Sequence, residues 1–289
     1  MSIVVTAATG QLGRLVIDEL LARVPADQIA AVVRDADKAA DIAAKNVELR
    51  IADYEDPETL KSAFSADDVV LLISGSEFGR RTVQHQNVID AVTAAGVARL
   101  AYTSVLGAPV AEYRLADEQH KPTEQAILDS GLTYTILRNG WYTDNYTAQI
   151  PLQLAHGVTA AAGEGRIGSA TRRDYAAAAA VVLTTEGHEN KAYELSGDTA
   201  WTFTEYAAEL SRQSGTEVAY NDVPVEALAG MFTGAGMPAE QAEVFAETDL
   251  AVKRGHFQGG SGDLSRLIGR PTTPLAESIA AALRASNPA

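Results

Sequence analysis

Short apolar runs alternate with stretches of helical period through the first half of the chain. Ile3, Val4 and Val5 form a run suited to a buried parallel strand. Behind it, Leu12, Val16, Leu20 and Leu21 recur at helical spacing, and Pro25 closes the element. The pattern then predicts a strand over 28–33, an alanine-rich helix over 36–45, a strand over 47–51 and a short helix opened by Asp56-Pro57. Residues 69–73 are the most apolar run and read as a central strand. A helix over 82–95 should turn Val83, Val88, Ile89 and Val92 inward and end at Gly96. A strand over 99–103, a helix over 115–130 and a strand over 133–137 complete the rhythm. Six strands alternating with helices imply an α/β fold built on a doubly wound parallel sheet.

After residue 137 the pattern changes. A helix is expected over 141–155, a glycine-rich loop over 163–168 and an alanine-rich helix over 175–184 behind Thr171-Arg172-Arg173-Asp174. A short strand over 192–195 follows, then a helix opened by Thr202-Phe203-Thr204-Glu205, and a last helix from Thr273-Pro274. Two domains are expected: residues 1–149, with 170–187 packing back on them, and a smaller, mainly helical lobe over 150–289.

Composition narrows the function classes. The chain has 289 residues, 46% hydrophobic and 21% charged, which fits a globular protein. A net charge of −15 without a long basic run argues against nucleic acid or an anionic membrane as partner. The absence of cysteine removes disulfides, thiolate nucleophiles and Cys-ligated metals, and it fits a cytoplasmic location. No signal peptide and no membrane-inserting stretch is expected.

The candidate chemistry lies where the expected strands end. Thr6, Ala7, Ala8, Thr9, Gly10, Gln11, Leu12 and Gly13 read as a glycine turn between strand and helix, the arrangement that grips a dinucleotide pyrophosphate. Ala7 stands where such a loop would carry its first glycine. Arg34 ends the second strand, where arginine can pair with an adenosine 2′-phosphate, so NADPH is expected; Asp35 beside it leaves NADH possible. Asp53 could meet the adenine amino group or simply form a turn. Ser74, Gly75 and Ser76 follow the central strand, and Thr103 and Ser104 end the next. Arg138, Asn139, Gly140, Trp141 and Tyr142 follow the sixth, with Asn139, Trp141 and Tyr142 as substrate-side candidates. His120, His85, Lys121 and Tyr113 are the candidate proton donors, and each reads first as a solvated or structural residue. No hydrolase elbow, zincin motif or Walker loop is present.

These residues resemble a known group. Thr6–Gly13, Val33-Arg34-Asp35, Ala52-Asp53-Tyr54, Leu72-Ile73-Ser74, Ala101-Tyr102-Thr103-Ser104 and Leu137–Tyr142 look like the NmrA-like atypical short-chain dehydrogenases, and among them the type-2 NADPH:quinone oxidoreductases, with triphenylmethane reductases nearby. The likeness continues through Ala170–Tyr175, Glu186-Gly187-His188-Glu189 and Leu267-Ile268-Gly269. It implies a Rossmann-type NADP(H)-binding domain and a small C-terminal lobe, with a quinone taking hydride in the cleft between them. On that reading no flavin and no metal are needed, and a homodimer is possible. The Tyr-x-x-x-Lys pair of short-chain dehydrogenases at large is missing, since Asp117 stands four residues after Tyr113. Two other readings stay open: an NADP(H)-binding redox sensor without turnover, and a reductase of another conjugated electrophile such as a triphenylmethane dye.

Overall fold

Ile3, Val4 and Val5 are almost wholly buried, as the central strand of a parallel sheet must be. They form β1 (Ile3–Val5). The computed structural model describes residues 2–75, 77 and 79–286. In chain order the remaining strands are β2 (Ile29–Val33), β3 (Glu48–Ile51), β4 (Val69–Leu72), β5 (Arg99–Val105), β6 (Tyr134–Asn139), β7 (Val158–Ala160), β8 (Lys191–Leu195) and β9 (Tyr220–Asp222). Seven of them make one sheet in the order β3-β2-β1-β4-β5-β6-β8, with β1 to β6 paired in parallel. β7 and β9 pair separately. The doubly wound α/β architecture read from the sequence is the one that forms. The chain winds outward from β1 to β3, then returns to lay β4 on the other side of β1. At that switch point the adjoining loops leave in opposite directions, which is where such sheets bind ligands.

Period-two alternation gives the sheet two apolar faces. Val4, Val32, Val70, Leu72, Leu100 and Tyr102 share one core with Val88, Ile89 and Val92 of the helix Arg81–Ala95 and with Ile127 of the helix Lys121–Asp129. Each such aliphatic burial is worth roughly 1.5–3 kcal/mol. The helix Gln11–Leu21 buries Leu12, Val16, Ile17 and Leu20 and packs on the helix Arg172–Thr184. That second helix buries Ala176 through Ala180, whose small side chains allow the close approach.

Residues 1–108, 118–139 and 172–193 form one compact unit; 109–117, 140–171 and 194–289 form the other. The strand expected over 192–195 is β8, at the edge of the main sheet beside β6.

Several expected elements differ. The helix over 36–45 is only a 3-10 turn (Asp37–Ala39) and one helical turn (Ala40–Ala43), because Ala39 and Ile42 alone supply a buried face. The helix over 115–130 is a π-turn (Ala116–His120) followed by Lys121–Asp129. Pro122 lacks an N–H and its ring crowds the carbonyl four residues back, which widens that turn. The helix over 141–155 is two pieces, Asp144–Thr147 and Ile150–His156, the second with proline in its first turn. Val83 is 61% exposed; Gln84 and His85 take the inward places instead. The capping box at Thr202 and Glu205 is present, with both reciprocal bonds made.

Candidate functional site

The loop leaving β1 turns sharply. Gly10 N–H donates to the Ala7 carbonyl at 2.9 Å, and Ala7 sits in the left-handed region at φ +47°. The following helix, Gln11–Leu21, has Gly10 as its N-cap and no side chain capping it, so its first-turn N–H groups are left for an external acceptor. Gly13 is required by packing. A Cβ there would lie 2.5 Å from the Ala7 carbonyl oxygen and 2.7 Å from Ala8 Cα. Loop and helix are thus pressed together with their amides uncapped, which suits a pyrophosphate. Arg14 braces the turn: its Nε donates to Thr9 O at 3.1 Å, another of its nitrogens donates to Lys38 O at 2.8 Å, and it pairs with Asp41.

Thr6 ties β1 to β4. Its hydroxyl donates to Leu71 O at 2.9 Å and accepts from Ile73 N–H at 3.2 Å and from the Tyr54 hydroxyl. Tyr54 also donates to Ile73 O at 3.1 Å. Burial pushes the Tyr54 phenol above its ordinary range, so it remains a donor.

Arg34 is exposed just beyond β2, with its guanidinium 3.2 Å from Glu77. Such a surface pair is worth about 0–1 kcal/mol, so a dianion could displace the carboxylate. Asp53 receives the Glu55 N–H at 3.0 Å in the turn expected of it. Ser74 N–H donates to Thr103 Oγ1 at 2.9 Å, joining the ends of β4 and β5. Ser76 lies outside the described residues.

The two histidines are not exposed acids. Gly75 N–H donates to His85 Nε2 at 3.1 Å, which leaves the ring proton on Nδ1, 3.0 Å from Thr123 Oγ1. Burial lowers the His85 pKa to about 3, so the ring stays neutral. His120 lies between the Tyr102 hydroxyl (2.8 Å) and Arg81 (3.3 Å), and burial, then the Arg81 charge, hold its pKa well below the usual value. Both rings therefore fix backbone and neighbours, and neither can serve as an imidazolium donor at neutral pH. Arg138 is clamped by buried Glu124 at 3.0 and 2.7 Å, with Ser104 Oγ donating to the same carboxylate at 2.5 Å. Asn139 is buried, and its backbone carbonyl accepts from Leu106 N–H. The Glu124 clamp, the Arg14 brace and Glu77 were not anticipated from the sequence, where isolated charges carry no sign of their partners.

In the second unit, Gly140 N–H donates to Leu195 O at 2.7 Å, and Tyr142 bridges to Ala170. Trp141 meets Phe257 edge-on at 5.5 Å between ring centroids. Tyr113 packs on Phe257 at 5.3 Å and on His256 at 5.9 Å. Tyr113 is 7% exposed, and its hydroxyl has no hydrogen-bond partner among the described residues. An unsatisfied buried hydroxyl costs about 1–3 kcal/mol. In the sequence Phe257 reads only as one of the apolar residues of the smaller lobe, and His256, in a glycine-rich stretch, carries no sign of the contact. Among the described residues no group of three or more His, Asp or Glu side chains could hold a metal ion. None of the described helices is long and apolar enough to cross a membrane.

Comparison with known proteins matches residues 7–186 to an NAD(P)H-binding family model. Quinone oxidoreductase 2 of Escherichia coli (strain K12) is 49% identical over 286 residues, covering 99% of this chain and all of that protein. The crystal structure of the Escherichia coli NADPH-dependent quinone oxidoreductase complexed with NADPH superposes with a TM-score of 0.94, covering 97% of this chain and 99% of that one. The triphenylmethane reductase of Citrobacter sp. complexed with NADP(H) is 42% identical, with a TM-score of 0.91 over 97% of this chain and all of that one.

Proposed function

The chain belongs to the NAD(P)H-binding family, and we propose that this member transfers a hydride from NADPH directly to a quinone, giving the hydroquinone in one two-electron step. The observation that carries the reading is the uncapped glycine turn at the β1–β4 switch point, in a chain similar over its whole length to a quinone oxidoreductase. When bound, NADPH supplies the hydride. The Thr6–Gly13 loop would hold its pyrophosphate and Arg34 its 2′-phosphate. Asp53 would face the adenine side, while Ser74, Gly75 and Thr103 would face the nicotinamide side together with Asn139 and Gly140. Trp141 and Tyr142 would stand on the substrate side.

The chemistry asks little acid of the protein. Reducing a carbonyl to an alcohol makes a strongly basic alkoxide, whereas hydride addition to a quinone ends in an aromatic hydroquinone anion that water can protonate. Neutral, buried His85 and His120 are compatible with such a reaction. What the residues must do is position the reactants and exclude water. A second reading, reduction of a cationic triphenylmethane dye, is favoured by the Citrobacter likeness and by the chain's net charge of −15.

The test is absorbance near 340 nm with purified protein, NADPH or NADH, and a panel of quinones and triphenylmethane dyes. Quinone-dependent oxidation of NADPH in preference to NADH is expected. Tight NADPH binding with no oxidation above background would refute the proposal in favour of a sensor, and oxidation with dyes alone would favour the second reading.

A further inference from the structure

Gly75, in the loop that leaves β4, has both of its backbone polar groups held by side chains of one helix. Its N–H donates to His85 Nε2 at 3.1 Å, and its carbonyl accepts from Arg81 Nε at 2.6 Å. Each tie continues to the π-turn Ala116–His120. His85 Nδ1–H donates to Thr123 Oγ1 at 3.0 Å, and that hydroxyl donates to the Gln119 carbonyl at 2.8 Å. Arginine can only donate, so His120 Nε2 accepts from Arg81 at 3.3 Å and its Nδ1–H donates to the Tyr102 hydroxyl at 2.8 Å. The two polar groups of one glycine are thus tied to consecutive residues of one turn. Ser74 N–H on Thr103 Oγ1 completes the frame. Ser74 and Gly75 have no apolar side chain to bury, so this bracing secures a backbone path and nothing else.

Resting on the NADPH-binding reading above, we propose that His85 and Arg81 are positioning residues for the nicotinamide half of NADPH, acting through the Gly75 backbone. Both work at one remove from the cofactor. They fix the strand-end surface on which that half settles before it arrives, so binding spends little on ordering the loop. A neutral His85 is what the task needs, because an imidazolium would have no lone pair for the Gly75 N–H. The adenosine half rests on other supports, the Thr6–Gly13 turn and Arg34. The two halves should therefore respond separately when the frame is cut.

The experiment is calorimetric titration of the full chain with NADPH and with 2′,5′-ADP, which keeps the adenosine 2′-phosphate and lacks the nicotinamide half. His85→Leu removes the acceptor and should weaken NADPH about three- to tenfold, while 2′,5′-ADP binds as it does to the parent. His85→Gln returns an acceptor oxygen near the Nε2 position and should recover most of the loss. Arg81→Lys keeps the charge but loses the fork, and should show the same selective weakening. It carries the test alone if His85→Leu fails to fold. Equal effects on the two ligands, or none on either, would overturn the proposal and leave the NADPH reading intact. So would a His85→Gln variant that binds NADPH no better than His85→Leu. If the parent binds no NADPH, the cofactor reading itself falls and the proposal goes with it.

Discussion

Ala7 offers a test in which the sign alone decides. Its φ of +47° lies in the left-handed region, where a Cβ costs roughly 1–2 kcal/mol. Glycine removes that cost but adds freedom to the unfolded chain, worth about 0.4–1 kcal/mol in the opposite direction. The difference for Ala7→Gly is a stabilisation of about 0.5–1 kcal/mol, or roughly 2 °C in melting temperature for a chain of this size. Ala7→Val should go the other way and further, because a β-branched side chain tolerates positive φ least. Thermal melts of the three proteins without cofactor read the effect directly, since the strain belongs to the polypeptide. NADPH titration of the same set would show whether the methyl also crowds the pyrophosphate. Had Ala7 a negative φ, the glycine variant would be destabilised by the entropy contribution alone. A lower melting temperature for Ala7→Gly would therefore refute the turn geometry on which the cofactor assignment rests.

Other outcomes follow from the ion pairs and a raised carboxyl. Arg34→Ala should weaken NADPH far more than NADH, whereas Glu77→Gln should tighten NADPH a few-fold by removing the carboxylate that competes for Arg34; titration calorimetry showing no gain for Glu77→Gln would discount that competition. Glu124→Ala strands a buried guanidinium and should cost roughly 3–5 kcal/mol in urea unfolding; a loss under 1 kcal/mol would show that Arg138 finds another partner. Asp249 has its pKa raised from 3.8 to about 6, mainly by burial and secondarily by Asp222, despite the Ala161 N–H it accepts. Folded protein then binds more protons than unfolded between those values, so this contribution is fully present below pH 3.8 and is lost as pH rises through about 6. The loss is at most roughly 3 kcal/mol. Asp249→Asn should flatten that part of the pH–stability curve, and an unaltered curve would assign the slope elsewhere.

The sheet was legible because strands buried on both faces must be apolar throughout, as 69–73 and 29–33 are. The inward face of Arg81–Ala95 was not, because hydropathy cannot tell that His85 and Gln84 are satisfied inside by Gly75 N–H and by the carboxylates of Glu55 and Glu77. The π-turn before Pro122 escaped notice for a related reason. A proline in a helical pattern signals a disturbance without saying whether the chain ends, kinks or widens. At the candidate site, the loop and strand-end positions could be read from local spacing. The Tyr113–Phe257 contact joins residues distant in sequence, and only the folded chain brings them together.

Thr6 acts as a register check. It stands one step past Val5, the last residue of β1 paired with β4, and its backbone N–H and hydroxyl both reach the carbonyl of Leu71, the residue that Val5 faces. A slip of β1 by one place would put Val5 or Ala7 there, and neither carries a hydroxyl. Misalignment would thus leave the Ile73 N–H without its acceptor, and the Tyr54 phenol with the Ile73 carbonyl alone, at the point where the chain departs the sheet. Alignment of β1 with β4 and the start of the turn that follows therefore hang on one hydroxyl, so a substitution at residue 6 would disturb both at once.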